Sequence, residues 1–195
     1  MKETGSRSTS DMSTIDVQII YLQMTSPPTG LLPDPPRRDL LVMRAEQPTV
    51  SFYRYLYDHV GGPWLWYERR LLGDDALAAI VRDAQVEVHV LYVAGVPAGY
   101  AELDRRVAGE VELSYFGLLP DFIGQGLGEH LLGWAIRRAW RGGPRRLWVH
   151  TCNLDHPRAL DTYVKIGFKE YRRESKRIPD PRLLIGERNV EKQRG

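Results

Sequence analysis

FIGQGLGEHLLGWAI (residues 122–136) sets Gly124, Gly126 and Gly128 at alternate positions and then runs into apolar residues at helical spacing. Glycine tolerates positive φ and lets a ligand come close to the backbone. A turn alone rarely needs three such residues. The first N–H groups of a helix lack intrahelical partners and lie at the positive end of its macrodipole, so a glycine-lined helix entry suits an anionic phosphate. Leu127, Leu131, Leu132, Ala135, Ile136 and Ala139 fall on one helical face, with His130, Arg137 and Arg141 opposite. Gly142-Gly143-Pro144 ends the helix.

Working outward, the residues before the glycines read as an antiparallel meander: VEVHVLYV (86–93), AGYAELDRR (98–106) and EVELSYFGLL (110–119), joined by short turns near Gly95-Val96-Pro97 and Ala108-Gly109. After the helix come a buried-type strand, RRLWVHT (145–151), a helix with proline in its first turn, PRALDTYVKI (157–166), and a last strand, FKEYRRES (168–175). Upstream, TIDVQIIYLQM (14–24) is a strand, and residues 26–39 are too proline-dense for ladder or helix. A short strand over 40–44 follows. Val50, Tyr53 and Tyr57 then mark a helix that stops at Gly61-Gly62-Pro63, and 74–83 forms a second one. The fold class is α/β (α+β), with two helices before the meander. Residues 1–13 are expected to be a disordered tail, 14–178 a single domain and 179–195 a C-terminal tail.

The chain of 195 residues is long enough for one domain with a real core. A formal net charge of +2 gives no argument for nucleic acid or an acidic membrane as partner. The lone cysteine, Cys152, cannot form an intramolecular disulfide or a cysteine-based zinc cage. No metal site is expected. The first residues carry no apolar leader, and the apolar runs fall short of the roughly 20 residues that span a bilayer. A cytoplasmic protein is the expectation.

Two common phosphate loops can be set aside. A Walker loop needs GxxxxGK followed by Ser or Thr, which the chain lacks. The dinucleotide fingerprint needs GxGxxG after a parallel strand and an acid to hold the ribose. Here the glycines read GxGxG after a meander, and no acid follows near residues 147–150.

LLPDFIGQGLG, from Leu118, instead resembles motif A of the GNAT superfamily of acetyl-CoA-dependent N-acyltransferases. Leu118, Ile123, Gly126 and Gly128 match its spacing, with Ile123 standing where Gln or Arg is usual and Gln125 beside it. NLDHPRALDTYVKIGFKEY (153–171) resembles motif B through Asn153, Ala159, Tyr163 and Gly167-Phe168. The resemblance covers about residues 86–171. It implies a GNAT fold: a mixed, mostly antiparallel sheet of about six to seven strands with about four helices, splayed between the family's strands four and five, here the strands at 110–119 and 145–151. It also implies acetyl-CoA as co-substrate without a metal, and direct attack by a primary amine in a ternary complex. Backbone groups of Phe116, Gly117 and Leu118 would then serve the thioester carbonyl and pantetheine, and Ile123, Gly124, Gln125, Gly126, Leu127 and Gly128 the pyrophosphate.

A lysine-like amine with pKa about 10.4 is almost wholly protonated at neutral pH, so transfer needs a base or a desolvating pocket. Glu112 is the candidate base. It lies eleven residues before Ile123, the offset of the catalytic Glu in histone-acetyltransferase-like members, and strand alternation puts it on the face of Phe116 and Leu118. The alternative is an outward residue paired with Arg105 or Arg106. Tyr163 occupies the family's general-acid position, and a phenol of pKa about 10 stays protonated at neutral pH. Asn153 either bonds the pantetheine arm or caps the turn before Pro157. His89, His150 and His156 read as strand or loop histidines, and Cys152 lacks a nucleophile motif. The cluster Tyr53, Tyr55, Tyr57, Trp64, Trp66 and Tyr67 is either an acceptor wall or core. The acceptor, a small-molecule amine or a peptide, stays open, as does monomer against homodimer. A CoA-binding module without catalysis is the alternative class.

Overall fold

The structure, a computed structural model, describes residues 13–30 and 35–184. Most of both expected tails, and residues 31–34 of the proline-dense stretch, lie outside the described residues. Seven strands form one sheet: β1 (Thr14–Met24), β2 (Leu40–Ala45), β3 (Val86–Val93), β4 (Val96–Asp104), β5 (Glu110–Leu118), β6 (Arg146–Cys152) and β7 (Lys169–Pro179). Their spatial order is β2-β3-β4-β5-β6-β1-β7. Every neighbouring pair is antiparallel except β5 and β6. The last strand runs on to Pro179, one residue past the expected domain edge.

β1 is inserted between β6 and β7, pairing with strands made far later in the chain. Its turn-free run of β-branched and aromatic residues suits that central position. The pattern alone does not say which strands it joins.

Among the described residues, four helices of seven residues or more cover the sheet: α1 (Val50–Gly61), α2 (Asp74–Val81), α3 (Leu127–Ala139) and α4 (Ala159–Lys165). Thr49 caps α1 by accepting from the Phe52 N–H at 3.2 Å, a cap worth about 1 kcal/mol. One core layer joins α3 and α4 to the sheet through Leu127, Leu131, Ala135, Leu103, Leu113 and Phe168. The other packs α1 and α2 through Tyr53, Leu56, Leu77, Val88 and Val90. The apolar stripe on α3 is buried as the spacing predicts, but it is wider, because His130 and Gly133 are buried with it. Arg105 ties the far end of α3 down, donating to the carbonyls of Arg138 at 2.9 Å and Ala139 at 3.1 Å while pairing with Glu87 at 3.0 Å. A cation there complements the negative end of the helix.

Two irregularities open the middle of the sheet. The β4–β5 register shifts by one residue at Ser114, since Leu103 faces Leu113 while Glu102 faces Tyr115. The parallel β5–β6 ladder joins only Glu110–Glu112 to Arg146–Trp148, after which the strands part. These two are the fifth and sixth strands in chain order, so the expected splay is present under shifted numbers.

Candidate active site

The gap between β5 and β6 opens into a cleft of about 750 Å³ that runs through the sheet. Its walls come from β5, the glycine loop, β6, the β6–α4 loop, α4 and the end of α1.

On the α3 and α4 side, Phe116, Gly117, Leu118, Ile123, Gly124, Gly126 and Gly128 line the cleft together with Tyr163. Gly124 and Gly126 have φ of 85° and 75°, the left-handed region that favours glycine, and Gly126 sits at the N-cap of α3. A Cβ on Gly124 would meet nothing within 4 Å, so the loop backbone is open. Gly117 has a different reason to be glycine: a Cβ there would lie 2.5 Å from Val60 of α1. The distortion expected at Gly117 lies at Ser114. Gln125 donates to the Asp121 carbonyl at 2.9 Å, and the Leu127 side chain is wholly buried in the core, so only their backbones are available to a ligand.

Tyr163 is buried beside Phe168, with ring centroids 5.8 Å apart, and Phe116, 6.3 Å away. Burial raises its pKa, and the Asp155 carboxylate adds to the shift. The phenol therefore stays protonated at neutral pH.

The expectation for Glu112 fails in its geometry. The bulge at Ser114 reverses the alternation, so Val111 and Leu113 share the α3 layer with Phe116 and Leu118, and Glu112 faces the opposite side with Tyr115. There its Oε1 lies 3.5 Å from Nδ1 of His150, close enough for charge pairing and long for a hydrogen bond. Arg105 and Arg106 are engaged elsewhere, with Glu87 and Asp104. His150 lines the cleft, while Glu112 stands behind it. Burial pulls the His150 pKa down, but Glu112, Asp155 and Glu68 outweigh it and hold the imidazole above its ordinary value.

Asn153 is also reassigned. Its Oδ1 accepts from the Gln18 N–H at 2.9 Å and its Nδ2 donates to the Asp16 carbonyl at 3.5 Å, so the side chain ties the end of β6 to β1. The missing polar group at the cleft is Asp155. It accepts from Trp66 Nε1 at 3.1 Å, Thr151 Oγ1 at 2.8 Å and the Cys152 N–H at 2.9 Å. Cys152 lines the cleft, yet burial and Asp155 push its thiol up to about 11, which leaves little thiolate at neutral pH.

The aromatic cluster divides between the core and the wall of the cleft. Tyr53 and Tyr57 are core, whereas Trp64 and Trp66 line the cleft with Tyr115 and Glu68. Behind Tyr115, buried Glu102 accepts from Tyr53 Oη at 2.6 Å and Arg69 Nη2 at 2.6 Å. Burial raises the Glu102 carboxyl against the pull of Arg69 and Tyr53, and these partners leave it no access to a substrate. Among the described residues no group of acids, histidines and cysteines could hold a metal, and no helix is long and apolar enough to cross a membrane.

A splayed mixed sheet with a glycine helix entry at one mouth of the gap and a buried tyrosine within it defines an acyl-transfer fold. Residues 42–168 match the Acetyltransferase (GNAT) family, and the chain belongs to it. No curated protein matches. Solved structures agree in fold: a GCN5-related N-acetyltransferase from Sphaerobacter thermophilus, 15% identical, superposes with a TM-score of 0.60 over 84% of this chain and 51% of that one. The ribosomal-protein-S18-alanine N-acetyltransferase from Escherichia coli, 17% identical, gives 0.55 over 72% and 94%. An aminoglycoside acetyltransferase from an uncultured soil metagenomic sample, 13% identical, gives 0.55 over 66% and 88%. Against the Sphaerobacter structure the chain spans about half the length.

Proposed function

We propose that the protein is a cytoplasmic, acetyl-CoA-dependent N-acetyltransferase that passes the acetyl group directly to a primary amine in a ternary complex. The observation that supports this reading is the cleft at the split between β5 and β6, with Tyr163 lining it beside α3 and α4 and His150 on the opposite face of the sheet. N–H groups of the glycine loop would take the pyrophosphate, and the β5 backbone freed by the splay would polarise the thioester carbonyl. Acetyl-CoA supplies the activated acyl group.

With Nδ1 turned to Glu112, Nε2 of His150 is the atom left for the amine's proton. The amine nitrogen forms its bond to the carbonyl carbon, the carbon–sulfur bond breaks, and the departing sulfur takes the Tyr163 proton. Glu112 acts through His150 as a positioning residue. An ammonium loses two protons in all: His150 takes one before the attack and releases it to solvent, and the second, lost as the adduct collapses, passes through water to the Tyr163 phenolate, so the exchange is balanced.

Two measurements test the reading together. Acetyl-CoA should raise the melting temperature by binding the native state. Mass spectrometry of an amine panel with acetyl-CoA should find an acetylated product. A thermal shift without any product would leave a CoA-binding module; no shift at millimolar CoA would sink both.

A further inference from the structure

Resting on the acetyltransfer reading, we propose that the acceptor is a small primary amine carried on an aromatic or apolar body, its ammonium anchored by Glu68 among Trp64, Trp66 and Tyr115. Glu68 is exposed to the cleft, and no lysine or arginine among the described residues pairs with it. It is held from behind by Tyr57 Oη at 3.2 Å and more loosely by the Tyr67 N–H at 3.4 Å. A carboxylate fixed in place and open in front suits a ligand cation. The rings beside it supply apolar surface and π faces that also attract a cation.

Two contacts across the cleft limit the acceptor's size. Trp66 Nε1 bonds Asp155, and the Trp64 ring meets His156 with centroids 4.9 Å apart. Both join the turn after α1 to the β6–α4 loop. They bridge the two walls of the acceptor chamber, where an extended peptide would need an unbridged groove. Packing fixes Trp66 in that place: a Cβ on Gly61 would sit 2.2 Å from its ring, so only glycine admits it, and Tyr115 lies 5.1 Å away on its other flank.

Polar capacity is equally limited. Asp155 is occupied by three donors and Glu112 faces His150, so Glu68 is the carboxylate left beside the rings, among few other polar groups: Trp64 Nε1, Tyr115 Oη, Ser114, His150 and His156, with Arg158 also in the cleft wall. An amino sugar would bury many hydroxyls against three aromatic rings, leaving donors unpaired at a cost of about 1–3 kcal/mol each. A single amine on a flat apolar body satisfies the chamber without that loss.

Calorimetry on the CoA-saturated protein separates the classes without depending on turnover. 2-Phenylethylamine is expected to bind at least about tenfold more tightly than n-butylamine, and glucosamine or a tetrapeptide with a free N-terminus more weakly than either. Glu68→Gln should weaken 2-phenylethylamine about tenfold or more while CoA affinity and melting temperature hold, and Trp64→Ala should shrink its advantage over n-butylamine. Tighter binding of glucosamine or the peptide, or an unchanged affinity in Glu68→Gln, overturns the proposal. Acetylation of the peptide would keep the transferase reading and end this one. Selective binding of 2-phenylethylamine without acetylation would do the reverse.

Discussion

The two mouths of the cleft are built in opposite ways. The side facing α3 and α4, proposed for the coenzyme, is mostly backbone from one stretch of chain, residues 116–128, where glycines matter for what they lack. The opposite side, proposed for the acceptor, is mostly side chains brought together from the turn after α1, from β5, from β6 and from the β6–α4 loop. The first can tolerate change at Gln125, whose side chain turns back to the Asp121 carbonyl, whereas Leu127 is fixed by the core it fills. The second depends on a buried polar foundation, with Glu102, Arg69 and Tyr53 under Tyr115 and Asp155 under Trp66.

The contrast predicts where substitutions hurt and how. Glu102→Ala should cost the most, about 3–5 kcal/mol of stability in urea unfolding, because it strands the Arg69 charge in the interior; a loss under about 1 kcal/mol would mean the acceptor wall does not rest on that pair. Tyr163→Phe removes only a proton donor, so kcat should fall by roughly ten- to a thousandfold with the KM for acetyl-CoA little changed. Unchanged turnover would take Tyr163 out of the chemistry.

Glu112→Gln is the sharper probe of the boundary between the halves, with an expected loss in kcat/KM of about tenfold. Its folded partner His150 has a raised pKa and must be neutral to accept a proton, so activity should rise with pH through a value above that of an ordinary histidine. Removing the Glu112 charge lowers that pKa, and the acid limb of the profile should move to lower pH as the plateau drops. A limb that stays in place would show that His150 does not set it. The smallest effect is expected for Gly126→Ala. The new Cβ would lie 3.6 Å from Pro36, an ordinary contact, so its cost is the left-handed φ, about 1 kcal/mol, read as a few-fold higher KM for acetyl-CoA.

Legibility in the sequence follows the same division. The glycine entry, the apolar stripe of α3 and the position of Tyr163 are set by local spacing, and each is readable from it. β1 and β3 coincide with their expected ranges because their runs of β-formers are bounded on both sides. Glu112 is misdirected because alternation holds only in an unbroken strand, and the bulge at Ser114 arises from pairing with β4 rather than from any local signal. His150 and Glu112 become neighbours only once β5 and β6 are known to run parallel in this register. Glu68 carries no motif at all; a carboxylate just after two tryptophans is the one available hint.

The placement of β1 has a consequence for how the chain reaches its native state. Gln18 bonds a residue 135 positions away and Tyr21 one 153 positions away, so this strand adds heavily to the contact order of the fold. Translation delivers it before either neighbour exists. Until residues of β6 and β7 emerge, an apolar strand with two bare hydrogen-bonding edges must wait, a state open to pairing with other nascent chains. Slow refolding is therefore the expectation from the strand order, independently of what the cleft binds.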